Sequence, residues 1–185
     1  MPLTRLADCP AKPWKNGLGR TRELAVHPPG AGMHDFLWRV SVAEVESAAP
    51  FSAFPGIDRV ITLLDGAGFT MTMDDGRRHA LTATCAPFAF PGETGVDVAL
   101  ASGPSRDFNL MLRRGRVRGG IETWRGAGTR RPDSRIALVY CVRGKIDTDE
   151  GPLHAGEAWR PTPSTNGTFV LHADALALAV HVESR

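Results

Sequence analysis

Apolar residues recur at every second position along much of this chain, the period of a strand with one buried side. Phe36 to Val45 shows it most clearly, with Trp38, Val40 and Val42 on one face and Arg39 and Ser41 on the other. Arg59 opens a short apolar run, Val60 to Leu64, which Asp65-Gly66 stops. Phe69, Met71 and Met73 alternate with Thr70 and Thr72, and Asp74-Asp75-Gly76 then supplies a hairpin turn into Arg77 to Thr82. Thr21 to His27 alternates weakly. Phe88 to Phe90, Val96 to Leu100 and Phe108 to Leu112 complete a first series.

A second, shorter series follows. Arg135 to Val142 is an apolar strand closed by Arg143-Gly144, and Asp147 to Gly151 is a turn. Pro152 to Trp159 holds a strand entering a tight turn. Thr168 to His172 and Ala175 to Val182 read as a closing hairpin about Ala173-Asp174. The order resembles that of the first series, a weak internal repeat that suggests duplicated β-units. Gly115 to Asp133, rich in Gly and Arg, reads as a connecting excursion. With 20 Gly and 14 Pro, almost no window sustains a long amphipathic helix. Short strands punctuated in this way predict an all-β sandwich or barrel.

The polar face of these strands is chemically uneven. Asp107, Asn109, Met111 and Arg113 alternate with Phe108, Leu110 and Leu112, and with Arg39 and Arg59 they repeat guanidinium and amide groups on one side. In an open sheet that side faces water. In a small closed barrel it faces the lumen and makes a cationic, hydrogen-bonding pocket.

Composition narrows the partners. A net charge of +2 within 23% charged residues gives no reason to expect nucleic acid, and Arg113-Arg114-Gly-Arg116-Val-Arg118 reads as solvated surface. Cys9, Cys85 and Cys141 are too few and too scattered for a disulfide framework, which fits a reducing cytoplasm. No apolar run approaches the ~20 residues that span a bilayer, and the first ten residues lack the apolar core of a signal peptide. The expectation is a soluble, cytoplasmic protein with no membrane partner; a homodimer stays open.

Several chemistries lack their signatures. The histidines, at 27, 34, 79, 154, 172 and 181, form neither His-x-His nor His-Glu-x-x-His, the spacings that give metal-dependent jelly rolls and zincins their ligands. No metal or other cofactor is expected. Nucleophile elbows, phosphate loops and dinucleotide fingerprints are also missing.

Three clusters remain. The first is Pro13-Trp-Lys-Asn-Gly-Leu-Gly-Arg-Thr-Arg-Glu23, where glycines let the chain turn and aim Lys15 and Asn16 into a cavity. The second is Trp38-Arg-Val-Ser-Val-Ala-Glu-Val45 leading to Pro50-Phe-Ser-Ala-Phe-Pro-Gly-Ile-Asp-Arg59. The third is Arg106-Asp-Phe-Asn-Leu-Met-Leu-Arg-Arg114. Taken in order, they resemble the HutD/Ves family of bacterial histidine utilisation. One departure is Leu18, where family members usually carry a third glycine.

The resemblance implies a metal-free bicupin: two jelly-roll-like β-barrel units packed as one compact protein, drawn at residues 1–115, including the N-terminal strands, and 116–185. It implies a small anionic metabolite as partner, N-formylglutamate being favoured, and a role in tuning histidine breakdown rather than a settled reaction. A ligand-binding set of Lys15, Asn16, Arg39, Ser41, Ser52, Phe54, Asp58, Arg59, Asn109 and Met111 follows. Arginines in a partly dry lumen want carboxylate partners, and Arg suits bidentate recognition. Two alternatives stand beside this set. Arg39 and Arg59 pair internally with Glu23, Glu44 or Asp58, or the protein is a metal-independent enzyme with Asp58 or Glu23 as general base.

Overall fold

The computed structural model describes residues 3–14, 17–131, 133–161 and 167–185. Strands joined by turns make up nearly all of it, with a single short 3-10 turn at Leu6–Asp8. The chain divides into two compact units. An N-terminal unit spans Pro10–Arg118 and takes in Arg185, and a C-terminal unit combines Met1–Cys9 with Gly119–Ser184.

Strand β1 (Leu3–Arg5) therefore belongs with the second unit, not with the first as expected from chain order. The N-terminal unit holds β2 (Ala11–Pro13), β3 (Gly19–His27), β4 (Trp38–Val45), β5 (Ile57–Gly66), β6 (Phe69–Met73), β7 (Arg78–Leu81), β8 (Phe88–Pro91), β9 (Val96–Leu100) and β10 (Ser105–Arg113). Their hydrogen bonds make a six-stranded sheet of order β2-β3-β4-β10-β5-β8 and a three-stranded sheet of order β7-β6-β9. Val45, Ile61, Leu63 and Phe90 of the larger sheet pack against Phe69, Met71, Met73, Leu81, Val96 and Val98 of the smaller one. Each such large side chain contributes roughly 1.5–3 kcal/mol by leaving water. The other face of the central strands is covered too: Val40, Val42, Phe108 and Leu110 have no exposed surface.

The C-terminal unit contains all but the first two residues of β11 (Val117–Arg125), with β12 (Gly128–Arg130), β13 (Ile136–Arg143), β14 (Lys145–Thr148), β15 (Gly151–His154), β16 (Glu157–Trp159), β17 (Phe169–Leu171) and β18 (Leu176–Ser184). Its sheets run β1-β16-β13-β18-β11 and β12-β17-β14-β15. Trp124, Val139, Cys141, Trp159, Ala177 and Ala179 from one sheet pack against Ile146, Leu153, Phe169 and Leu171 from the other. Each unit is thus two separate sheets facing across a core rather than the closed barrel expected.

Several local expectations change for physical reasons. The stretch read as an excursion contains β11 and β12. Its glycines hid the strand, yet Gly119 is required there, since a Cβ would lie 2.1 Å from the His181 carbonyl oxygen. Thr168 to His172 and Ala175 to Val182 do not form a hairpin. β17 pairs with β12 and β14 while β18 pairs with β13, so Ala173-Asp174 crosses from one sheet to the other. β1 went unread because three residues carry no period; it pairs Leu3 with Trp159 and Arg5 with Glu157, and the Arg5 Nε donates to Glu157 at 3.0 Å.

Candidate functional site

Three neighbouring strands of the N-terminal unit set their inward side chains in rungs. On one rung Met111 stands between Arg39 and Arg59; on the next Asn109 stands between Ser41 and Ile61; on the third Asp107 stands between Ala43 and Leu63. Two irregularities in register shape the ladder. One, between Glu23 and Ala25 of β3, puts Glu23 opposite Ser41 and Val26 opposite Arg39. The other shifts the β10–β5 pairing between Arg106 and Asp107, immediately beside the acid. Irregularities of this kind bend a strand and re-aim its side chains.

These rungs form one wall of a cavity of about 640 Å³. The loop Pro50 to Pro55 forms another, with Phe51, Ser52 and Phe54 among the lining. Backbone bonds pin that loop: Phe51 N–H donates to Val96 O at 2.9 Å and Phe54 N–H to Gly92 O at 2.7 Å. Trp14 completes the rim, its indole N–H donating to Thr21 Oγ1 at 2.8 Å. At the mouth sit Met33 and His34, held by Arg113, whose Nη2 donates to the His34 carbonyl at 2.8 Å and whose Nε donates to that of Phe36 at 3.2 Å.

The two central arginines differ. Arg39 is already bridged, its Nε donating to Glu23 Oε2 at 2.7 Å and its Nη1 to Ser41 Oγ at 3.3 Å. Arg59 is 4% exposed and makes a single long hydrogen bond, Nε to Asn109 Oδ1 at 3.5 Å, with no ion pair among the described residues. Its guanidinium is instead caged by the rings of Phe90, Phe51 and Phe54, at 4.9, 5.2 and 5.5 Å from their centroids. Cation–π contact of this kind offsets part of the lost hydration. Burial pushes the Arg59 guanidinium down to about 10, against the raising field of Asp107 and with a further lowering by Arg39. Asp107 is 1% exposed, and neither carboxylate oxygen has a hydrogen-bond partner among the described residues. Burial pushes its carboxyl up to about 7, opposed by Arg59.

Of the residues expected at the site, Arg39, Ser41, Ser52, Phe54, Arg59, Asn109 and Met111 line this one cavity. Lys15 and Asn16 lie outside the described residues. Asp58 is not brought in: as the strand neighbour of Arg59 it points to the opposite side, where its carboxylate accepts from Arg114 Nε at 2.7 Å. Internal pairing, the plainer alternative, holds for Arg39 with Glu23, whereas Glu44 pairs with Arg20 and Arg22. Asp107, outside the expected set, shares the parity of Asn109 and Met111 and lines the same cavity. Among the described residues no group of three or more His, Cys, Asp or Glu is placed to hold a metal ion, and the cavity lining offers only His34 and Asp107 of those types.

Comparison with known proteins places the chain. The family model HutD matches residues 6–181. The chain belongs to the HutD family. It is 43% identical over 137 residues to Protein Ves of Cronobacter sakazakii (strain ATCC BAA-894), covering 73% of this chain and 72% of that protein. It is 34% identical over 145 residues to an uncharacterized 21.2 kDa protein in the hutC 3' region of Pseudomonas putida, 78% and 75% of the two chains. The structure of HutD from Pseudomonas fluorescens SBW25, in a formate condition, superposes with a TM-score of 0.86 at 29% identity over 99% of this chain and 98% of that one. A cupin 2 conserved barrel domain protein from Leptotrichia buccalis has a TM-score of 0.62 at 8% identity over 99% of this chain and 96% of that one, which establishes a cupin-like fold for this HutD-family chain. Leu18, expected to stand where a glycine is usual, does not adopt a positive φ; among the described non-glycine residues only Cys85 does. The Leu18 carbonyl accepts from Glu46 N–H at 3.2 Å.

Proposed function

We propose that the cavity of the N-terminal unit binds a small carboxylate metabolite of histidine breakdown, N-formylglutamate or a close relative, and that occupancy tunes histidine utilisation in the cytoplasm. Arg59 carries this reading. A buried guanidinium without a bonded counter-ion is costly to the fold, and a bidentate carboxylate is the partner its geometry suits. Asn109, Ser41 and Ser52 add hydrogen-bonding groups on the same cavity wall and loop. The hutC-region relative of Pseudomonas putida adds a histidine-utilisation setting by its name.

Thermal denaturation with N-formylglutamate, urocanate, glutamate and formate at millimolar levels tests it. At least one should raise the melting temperature. Arg59→Met, which keeps the apolar stem within the aromatic cage, should fold yet weaken binding by about 100-fold or more. Arg39→Ala should cost less, because Glu23 already satisfies that guanidinium. If no carboxylate stabilises the protein, or if Arg59→Met binds like the parent, the assignment fails.

A metal-independent enzyme acting on a small acidic substrate is the second reading, and Asp107 favours it. A carboxyl whose burial brings it to about 7 both takes and releases protons at neutral pH. Product analysis after long incubation with the same compounds decides this point.

A further inference from the structure

Among the described cavity-lining residues, Asp107 alone has fully buried side-chain polar atoms without a hydrogen-bond partner. Its rung neighbours, Ala43 and Leu63, carry no side-chain donor. No hydrogen bond or ion pair among the described residues joins it to Arg59, although each lies in the other's field. Buried acceptors that a fold leaves empty cost free energy, and the cavity is where a donor can reach them.

Taking as its basis the reading that the cavity binds a carboxylate, we infer that the ligand also carries an N–H donor beside that carboxylate, as an α-amino acid or N-acyl amino acid does, with Arg59 taking the carboxylate and Asp107 accepting the N–H. The ladder supplies the spacing. Asp107 and Asn109 are successive inward residues of β10, roughly 7 Å apart along the strand, and the Arg59 guanidinium reaches the Asn109 rung. A carboxylate and a nitrogen on one carbon, with a hydrogen bond at each end, span a gap of that order. The charges agree as well. A positive and a negative group, unbonded to each other in one cavity, complement a ligand that has both an anion and a donor. A ligand with carboxylates alone would leave the Asp107 oxygens without a donor. Arg39 cannot take the place of Asp107 in this scheme, being a donor already closed by Glu23. A register shift in the β10–β5 pairing lies immediately before Asp107, the kind of irregularity that re-aims a side chain.

Calorimetric titration of the whole chain with N-formylglutamate, glutamate and glutarate tests the inference, since glutarate keeps both carboxylates and lacks the nitrogen. At least one N–H ligand should bind about tenfold or more tightly than glutarate. Asp107→Ala should bring the dissociation constants to within about threefold of one another. Asp107→Asn, which keeps the shape and exchanges one acceptor oxygen for a donor, should shrink the preference in the same direction. Circular dichroism confirms that each variant is folded before titration. Glutarate binding as tightly as both N–H ligands overturns the inference, and so does a preference that survives in both variants. If these three ligands and formate all fail to bind the parent protein, the carboxylate reading itself falls, a separate and recognisable result.

Discussion

Arg59 and Asp107 are both buried, of opposite charge, and not bonded to each other. A fold optimised for stability alone would pair them or replace them with apolar side chains. Asp107 makes the cost measurable. Its carboxyl stands near 7 in the fold, against ~3.9 in an unfolded chain. Between those values the unfolded chain has lost a proton that the fold retains, so stability falls as pH rises through that window and levels off above it. Asp107→Asn removes this dependence. Urea denaturation should show the variant and parent alike near pH 4, with the variant more stable at pH 8 by on the order of 4 kcal/mol. A difference that does not change with pH would show that Asp107 keeps an ordinary carboxyl.

At the scale of elements, the site depends on how β3, β4, β10 and β5 keep register while local shifts turn particular side chains inward. Gly19, at the start of β3, shows how close the tolerance is. A Cβ there would lie 2.6 Å from the Glu44 carbonyl oxygen and 3.0 Å from the Trp14 ring. Gly19→Ala should therefore lower stability by about 1–3 kcal/mol and push Trp14 from the cavity rim. Tryptophan fluorescence and ligand affinity should change together. The alternation of β4 and β10 was readable because their faces differ sharply in chemistry. That of β11 was not, because Gly119 and Gly120 blur the period, and the need for glycine comes from a backbone on another strand. Asp107 was equally visible as a letter. Its isolation was not, since that depends on what stands opposite, and Ala43 and Leu63 come from strands far away in sequence.

For the molecule as a whole, the first nine residues are structurally part of the C-terminal unit. β1 closes the edge of β16, and Leu6 and Cys9 are both buried to 7% exposure. Removing residues 1–9 should lower stability by about 3 kcal/mol through lost burial and pairing. The cavity is lined from residues 13 to 113, so carboxylate affinity in the folded remainder should stay within about threefold of the parent. Burial also sets the salt response. A ligand held by Arg59 should lose no more than about threefold in affinity between 0.05 and 0.5 M salt, because buried charges are screened far less than exposed ones. A steep salt dependence would move the anion to the surface arginines. No helix of the described residues is long and apolar enough to cross a membrane.

Period-two alternation, frequent glycine and proline, and the three motif clusters determined an all-β protein of the HutD family and the strand faces that carry its arginines. Those features are local, and a sequence states them directly. Tertiary structure alone decided that Arg39 is already satisfied by Glu23, that Asp58 points away, and that Asp107 is left without a donor among the described residues. Each of these outcomes depends on which side chains from distant strands share a rung, and the free energy of a charged group is set by those neighbours and by the water they exclude.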